Sequence, residues 1–235
     1  MIELRPYDSL GGGDFGWLRT RHHFSFADYR DPARVHWGRL RVWNDDAIAP
    51  GTGFDPHPHQ DMEIITYVRE GAITHQDSLG NTGRTEAGDV QVMSAGTGIR
   101  HAEYNREPGP TRLFQIWIIP DKKGGAPAWG ARPFPKADRA GRFVTLASGI
   151  AGDAEALPIR TSARVLGATL KAGQQAEYRL AGRHAYLVPA AGKVEVNGVA
   201  AAAGDGIAIE DEAVLHVTAS EDAELVFRYR LSFPP

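Results

Sequence analysis

Glu63-Ile-Ile-Thr-Tyr-Val68 and Leu113-Phe-Gln-Ile-Trp-Ile-Ile119 are runs of β-branched and aromatic residues that give out at Gly71 and at Pro120. Apolar runs of this length, bounded by turn formers, read as strands rather than helices. The same texture extends outward in both directions. In all, 27 Gly and 15 Pro lie between short apolar stretches, and helical periodicity is weak almost everywhere. Short strands separated by turns at regular intervals predict an all-β protein, a sandwich or a barrel.

From Asp121 to about Arg160 the pattern breaks, with Lys122-Lys-Gly-Gly125, then Pro127, Pro133 and Pro135, then Gly- and Ala-rich sequence. This reads as a connector over 121–160 between a first domain over 1–120 and a second over 161–235. The two sides echo one another. Tyr67-Val-Arg-Glu-Gly-Ala-Ile73 resembles Tyr186-Leu-Val-Pro-Ala-Ala-Gly-Lys-Val194. Gly88-Asp-Val-Gln-Val-Met93 recurs as Gly204-Asp-Gly-Ile-Ala-Ile209, and Arg112-Leu-Phe-Gln-Ile-Trp117 as Glu224-Leu-Val-Phe-Arg-Tyr229. Two tandem copies of one β-barrel account for the echo.

Composition narrows the chemistry. With 26 Lys and Arg against 29 Asp and Glu, the formal charge is −3 and no basic run marks a phosphate-tracking surface, so nucleic acid is not a favoured partner. There is no cysteine, which excludes disulfides, thiolate metal sites and cysteine nucleophiles. Any metal must be held by nitrogen and oxygen. The first residues do not read as a signal peptide, and no apolar run reaches the roughly 18 residues of a membrane span. No Asn-x-Ser/Thr site occurs. A cytoplasmic protein is the expectation.

In a strand, residues i and i+2 share a face, so His57 and His59 in Asp55-Pro-His-Pro-His59 project side by side. His101 and Glu103 repeat that spacing behind the glycine turn Ser94-Ala-Gly-Thr-Gly98. Pro56 and Pro58 remove ladder donors, which places the histidine pair near a barrel mouth. A lone His-x-His is more often surface polarity than a ligand pair. If the two strands face one another, however, three neutral imidazoles and one carboxylate converge on one divalent metal ion.

The remaining motifs carry less. Gly11-Gly-Gly-Asp-Phe-Gly16 has the spacing of a dinucleotide loop, but no apolar strand precedes it and no helix follows. Ser94 lacks the setting of a nucleophile elbow. His22 and His23 read as a surface loop in preference to a pocket mouth, and His75 as a structural or solvent-facing residue in a polar hairpin. Trp37, Trp43 and Trp117 read as core packing, although Trp117 or Gln115, on a strand next to the site, could face inward.

Three blocks, Gly53-Phe-Asp-Pro-His-Pro-His-Gln-Asp-Met-Glu-Ile64, His75-Gln-Asp-Ser-Leu-Gly-Asn81 and Val92-Met-Ser-Ala-Gly-Thr-Gly-Ile-Arg-His-Ala-Glu-Tyr-Asn105, resemble the pirin branch of the cupin superfamily. The resemblance is strongest to bacterial pirin-like proteins described as quercetin 2,3-dioxygenases. His22-His-Phe-Ser-Phe26 and Asn44-Asp-Asp46 share it, so the first 120 residues are covered well and the rest loosely. The resemblance implies a bicupin fold whose first barrel alone holds metal, through His57, His59, His101 and Glu103. Glu63 stands where many cupins place a ligand glutamate, but in pirin-like proteins the carboxylate comes from the second motif, which leaves Glu63 a supporting or structural acid. Aligning Gly71 with Gly192 puts Tyr178 and Leu180 where the histidine pair would be, so the second barrel is expected to bind no metal. His184 and His216 read as ordinary polar residues.

The resemblance further implies a dioxygenase that opens a flavonol such as quercetin with O2. Fe(II) is the expected ion, with Mn, Ni, Cu or Zn compatible, and Glu103 is the expected catalytic proton acceptor. The alternative it implies is a redox-responsive regulatory protein that binds a transcription factor or a metabolic enzyme.

Overall fold

The computed structural model of the chain describes residues 1–180 and 184–230. Strands carry it throughout, the helical elements among the described residues being two short 3-10 turns, Tyr7–Ser9 and Lys136–Arg139. None of the helices described is long and apolar enough to cross a membrane. The chain packs as two compact units. One is Gly11–Phe134 with Leu157–Thr161, and the other is Met1–Leu10, Pro135–Ala156 and the chain from Ser162 onward.

The first unit joins a seven-stranded and a four-stranded antiparallel sheet. The larger runs Ala128–Arg132, Val90–Ser94, Glu63–Glu70, Thr111–Ile118, Leu40–Ile48, Leu18–His22 and Gly11–Asp14, and the smaller runs Gly53–His59, Ile99–Tyr104, Ala72–Asp77 and Thr82–Glu86. The apolar runs 63–68 and 113–119 supply its central strands, paired through Gln115↔Thr66 and Phe114↔Tyr67. Leu18, Ile48, Val68, Ile73 and Leu113 form an apolar cluster drawn from both sheets.

The second unit repeats the arrangement. Its larger sheet places Gly206–Glu210, His184–Ala191, Ala223–Arg230, Ala163–Leu170 and Val144–Ser148 in order, and its smaller sheet Gln175–Arg179, Val214–Ala219, Lys193–Val196 and Val199–Ala202. Gly71 and Gly192 close equivalent turns with φ of 72° and 75°, a region where an L side chain is strained. At Gly192 a Cβ would also lie 2.2 Å from the Asp222 carbonyl oxygen.

The packing divides the chain differently from the linear reading. Ile2–Arg5 pairs with Gly206–Glu210, Ile2 opposite Ile209 and Arg5 opposite Gly206, so the first ten residues belong to the second unit. The stretch read as a connector is also structured. Ala128–Arg132 is an edge strand on Val90–Ser94, and Val144–Ser148 pairs with Ala163–Leu170. The pairings of Ile2–Arg5 and of Ala128–Arg132 join residues far apart in the chain, and strand periodicity carries no information about such partners.

Candidate metal centre

The strands Gly53–His59 and Ile99–Tyr104 lie antiparallel, with Ile99 opposite His59 and His101 opposite His57. The register then slips, so that Glu103 faces Phe54. The extra residue falls in the strand that carries Pro56 and Pro58, where the missing backbone donors weaken the ladder and a bulge costs little. Ligand atoms of His57, His59 and His101 lie within 4.8 Å of one another.

A hydrogen bond fixes the His57 tautomer. His57 Nδ1 is 2.7 Å from the Asp55 carbonyl oxygen, which can only accept, so the ring proton is on Nδ1 and the Nε2 lone pair is free. His75 Nε2 lies 3.0 Å from the Asp77 carboxylate, and its Nδ1 lies 3.4 Å from His101 Nδ1. His101 Nε2 lies 3.1 Å from His57 Nε2. His59 Nε2 is buried and has no hydrogen-bond partner. Burial, followed by the neighbouring histidines, pushes the His59 and His101 rings down to about 3. Three neutral imidazoles with ligand atoms drawn together in this way are what a divalent cation satisfies, and their donor set suits a borderline first-row ion.

Glu103 is buried at 3 % exposure. Its Oε1 accepts from Gln91 Nε2 at 2.6 Å and Thr66 Oγ1 at 3.3 Å, and its Oε2 from Gln115 Nε2 at 2.7 Å. These neutral donors orient the carboxylate without neutralising its charge. All four residues, His57, His59, His101 and Glu103, line one cavity of about 760 Å³, within the usual range of ligand pockets. Its walls are largely aromatic, with Trp17, Phe26, Phe54 and Trp117 prominent. Trp117 meets the His59 ring edge-on at 4.8 Å.

Several other positions differ from their sequence reading. His22 and His23 do not lie on a surface loop. Both are buried, and His22 lines the cavity with its Nδ1 2.9 Å from Asn44 Oδ1. His75 is 1 % exposed, stacked on Trp129 with ring centres 4.7 Å apart, and its ligand atom groups with those of His101 and Glu103. The spacing His75-x-Asp77 on a strand is the signal for this pair, and the sequence reading passed over it. Trp43 is core, as expected, whereas Trp117 and Gln115 face the cavity. Glu63 accepts from Ser94 Oγ at 2.6 Å and from the Arg160 backbone N–H at 3.0 Å, a structural placement, and burial pushes its carboxyl up. In the second unit Tyr178 and Leu180 pack against an apolar cluster.

Residues 4–118 match a family model described as Pirin, and residues 145–227 one described as the quercetinase C-terminal cupin domain. A pirin-like protein of Caulobacter vibrioides is 70 % identical over 227 residues, covering 96 % of this chain and 98 % of that protein. The quercetin 2,3-dioxygenase of Escherichia coli K12 is 42 % identical over 229 residues, covering 96 % and 97 %. A crystal structure of the bacterial pirin YhhW from Escherichia coli, in complex with nickel(II), superimposes with a TM-score of 0.90 at 40 % identity, covering all of both chains.

Proposed function

The chain belongs to the pirin family of cupin proteins, and on that premise we propose that it is a metal-dependent dioxygenase that opens a flavonol such as quercetin with O2. The observation that supports this reading is an aromatic-walled cavity lined by His57, His59 and His101, whose ligand atoms lie within 4.8 Å of one another, and by the buried carboxylate of Glu103, whose ligand atom groups with those of His101 and His75. His57, His59, His101 and Glu103 are the residues that would hold the ion. Fe(II) is the working choice; Mn(II), Ni(II), Cu(II) and Zn(II) suit the same donors, and the YhhW complex holds nickel. Such an ion, when bound, acidifies a hydroxyl that meets it and leaves positions open for substrate and dioxygen.

The protein's own residues do the rest. Glu103 takes the flavonol 3-hydroxyl proton at Oε2, whose partner Gln115 also lines the cavity, while Gln91 and Thr66 hold Oε1 in place. Gln115 occupies one lone pair of Oε2, and the proton takes the other, the place at which Glu103 would otherwise hold the ion. Trp17, Phe54 and Trp117 offer apolar faces to a flat ring system and keep water from the enolate it becomes.

Metal-replete protein incubated anaerobically with quercetin and then given oxygen should release carbon monoxide into the headspace. His59→Ala protein should release none above background. Equal carbon monoxide from both proteins, or none from either, would sink the reading.

A further inference from the structure

The cavity has a second polar face, on the sheet opposite the histidine strands. Thr20, His22, Asn44 and Asp46 project into it from Leu18–His22 and Leu40–Ile48 of the seven-stranded sheet. The candidate ligands stand on the four-stranded sheet, and facing sheets are separated by about 10 Å. Alternation along the strand sends Asp45 the other way, where it pairs with Arg69 at 2.6 Å. Asp46 is 2 % exposed and has no cationic partner among the described residues. Thr20 Oγ1 donates to its Oδ1 at 2.5 Å, and Oδ2 accepts no hydrogen bond among the described residues.

The neighbouring groups have the same polarity. Asn44 Oδ1 takes the His22 Nδ1 proton, which leaves the His22 Nε2 lone pair as an acceptor. Burial holds the His22 ring neutral by lowering its pKa. A buried carboxylate served by one hydroxyl is costly unless a ligand completes it. Once Asp46 is ionised, above about pH 7, one wall of the cavity carries two unfilled acceptors, which call for a donor, and a phenolic hydroxyl is a donor compatible with an aromatic-walled cavity.

We propose that Asp46, with His22, forms a distal subsite that receives a phenolic hydroxyl of a flat aromatic substrate whose other end meets the histidine pole. The cavity therefore selects polyphenols bearing hydroxyl groups at both ends over analogues with a hydroxyl at one end alone. This inference rests on the dioxygenase reading and adds the feature by which the substrate is chosen. Asp46 is a specificity residue here, not a participant in ring opening.

The test is anaerobic fluorescence titration of metal-replete protein with quercetin and with 3-hydroxyflavone, which keeps only the hydroxyl meant for the histidine pole. Wild-type protein should bind quercetin about tenfold or more tightly than 3-hydroxyflavone, the scale of one buried hydrogen bond. Asp46→Leu should bring the two affinities within about threefold of each other by weakening quercetin alone. Asp46→Asn, nearly isosteric, serves the same comparison if the leucine variant does not fold, since Thr20 then fixes the amide with its NH2 toward the cavity. Equal weakening of both ligands, or wild-type protein that does not discriminate, would overturn the subsite while leaving the dioxygenase reading intact. Wild-type protein that binds no flavonol would end both.

Discussion

The two units place different chemistry on one strand register. In the first, His101 stands opposite His57 and His75 opposite Glu103. In the second, the same pairings are Leu215 opposite Tyr178 and Val196 opposite Val217. The contrast reaches the facing sheet, where Gln115 pairs with Asn44 and Leu113 with Asp46, against Phe227 with Leu166 and Leu225 with Ala168. Each of these polar positions thus has an apolar or aromatic counterpart. Phe143, Tyr178, Phe227 and Tyr229 fill that interior with ring centres 5.3 to 5.8 Å apart. One frame can hold an open polar cavity or a packed core. In the second unit the interior contributes cohesion, and in the first part of that cohesion is given up for a site.

Exchanging residues between the two interiors should expose this division. His101→Leu, which copies Leu215, should lower bound metal from about one ion per chain to under about a tenth in elemental analysis, because one ligand is gone and a methyl group occupies its place. The metal-free variant should melt no lower than metal-free wild type, since a buried imidazole gives way to the apolar residue that the second unit carries at the same place. In the other interior, Phe227→Ala should cost about 3–5 kcal/mol in urea unfolding and leave metal content unchanged. An equal loss of metal there would break the comparison.

Asp46 against Ala168 gives a test that depends on pH. Burial, offset by the Thr20 bond, pushes the Asp46 carboxyl up to about 7. The native state then keeps a proton that the unfolded chain releases near pH 4, so wild-type stability falls as pH rises from 4 to 7. Above pH 7 the penalty approaches about 4 kcal/mol, roughly three units at about 1.4 each. Asp46→Asn cannot ionise. In metal-free protein it should match wild type near pH 4 and exceed it at pH 8, and parallel melting curves at both values would count against a carboxylate held in this way. The smallest effect is expected of His75→Val, which copies Val196 and removes the ring nitrogen that lies beside His101 Nδ1. Metal affinity, read by chelator competition, should drop about 10- to 100-fold with the ion still bound.

What was legible in the sequence was local. His57 with His59, and His101 with Glu103, are two apart on strands, and a two-residue period places each pair on one face without knowledge of the partner strand. Tyr178 and Leu180 could be matched to the histidine pair because the glycine turns at 71 and 192 anchor the repeat. The features that escaped depend on convergence between strands. Burial of His22 follows from its pairing with Asn44, and the role of His75 follows from the strand that carries His101. Asp46 differs from Asp45 only in the side of the sheet it faces, which two adjacent identical residues cannot reveal. Ala128–Arg132 is too short and glycine-broken to announce itself as a strand.

The pairing of Ile2–Arg5 with Gly206–Glu210 matters for the order of events when the protein is made. Ile2–Arg5 leaves the ribosome well before its partner strand, which lies some 200 residues behind it, beyond all of the first unit. That unit holds its own strands and can close while synthesis continues. Until Gly206–Glu210 is out, the earlier strand is an unpaired edge, and joining it closes a loop of some 200 residues, at an entropic cost that grows only with the logarithm of loop length. Synthesis runs from one end to the other, but the second barrel is completed only when its first-made and late-made strands meet.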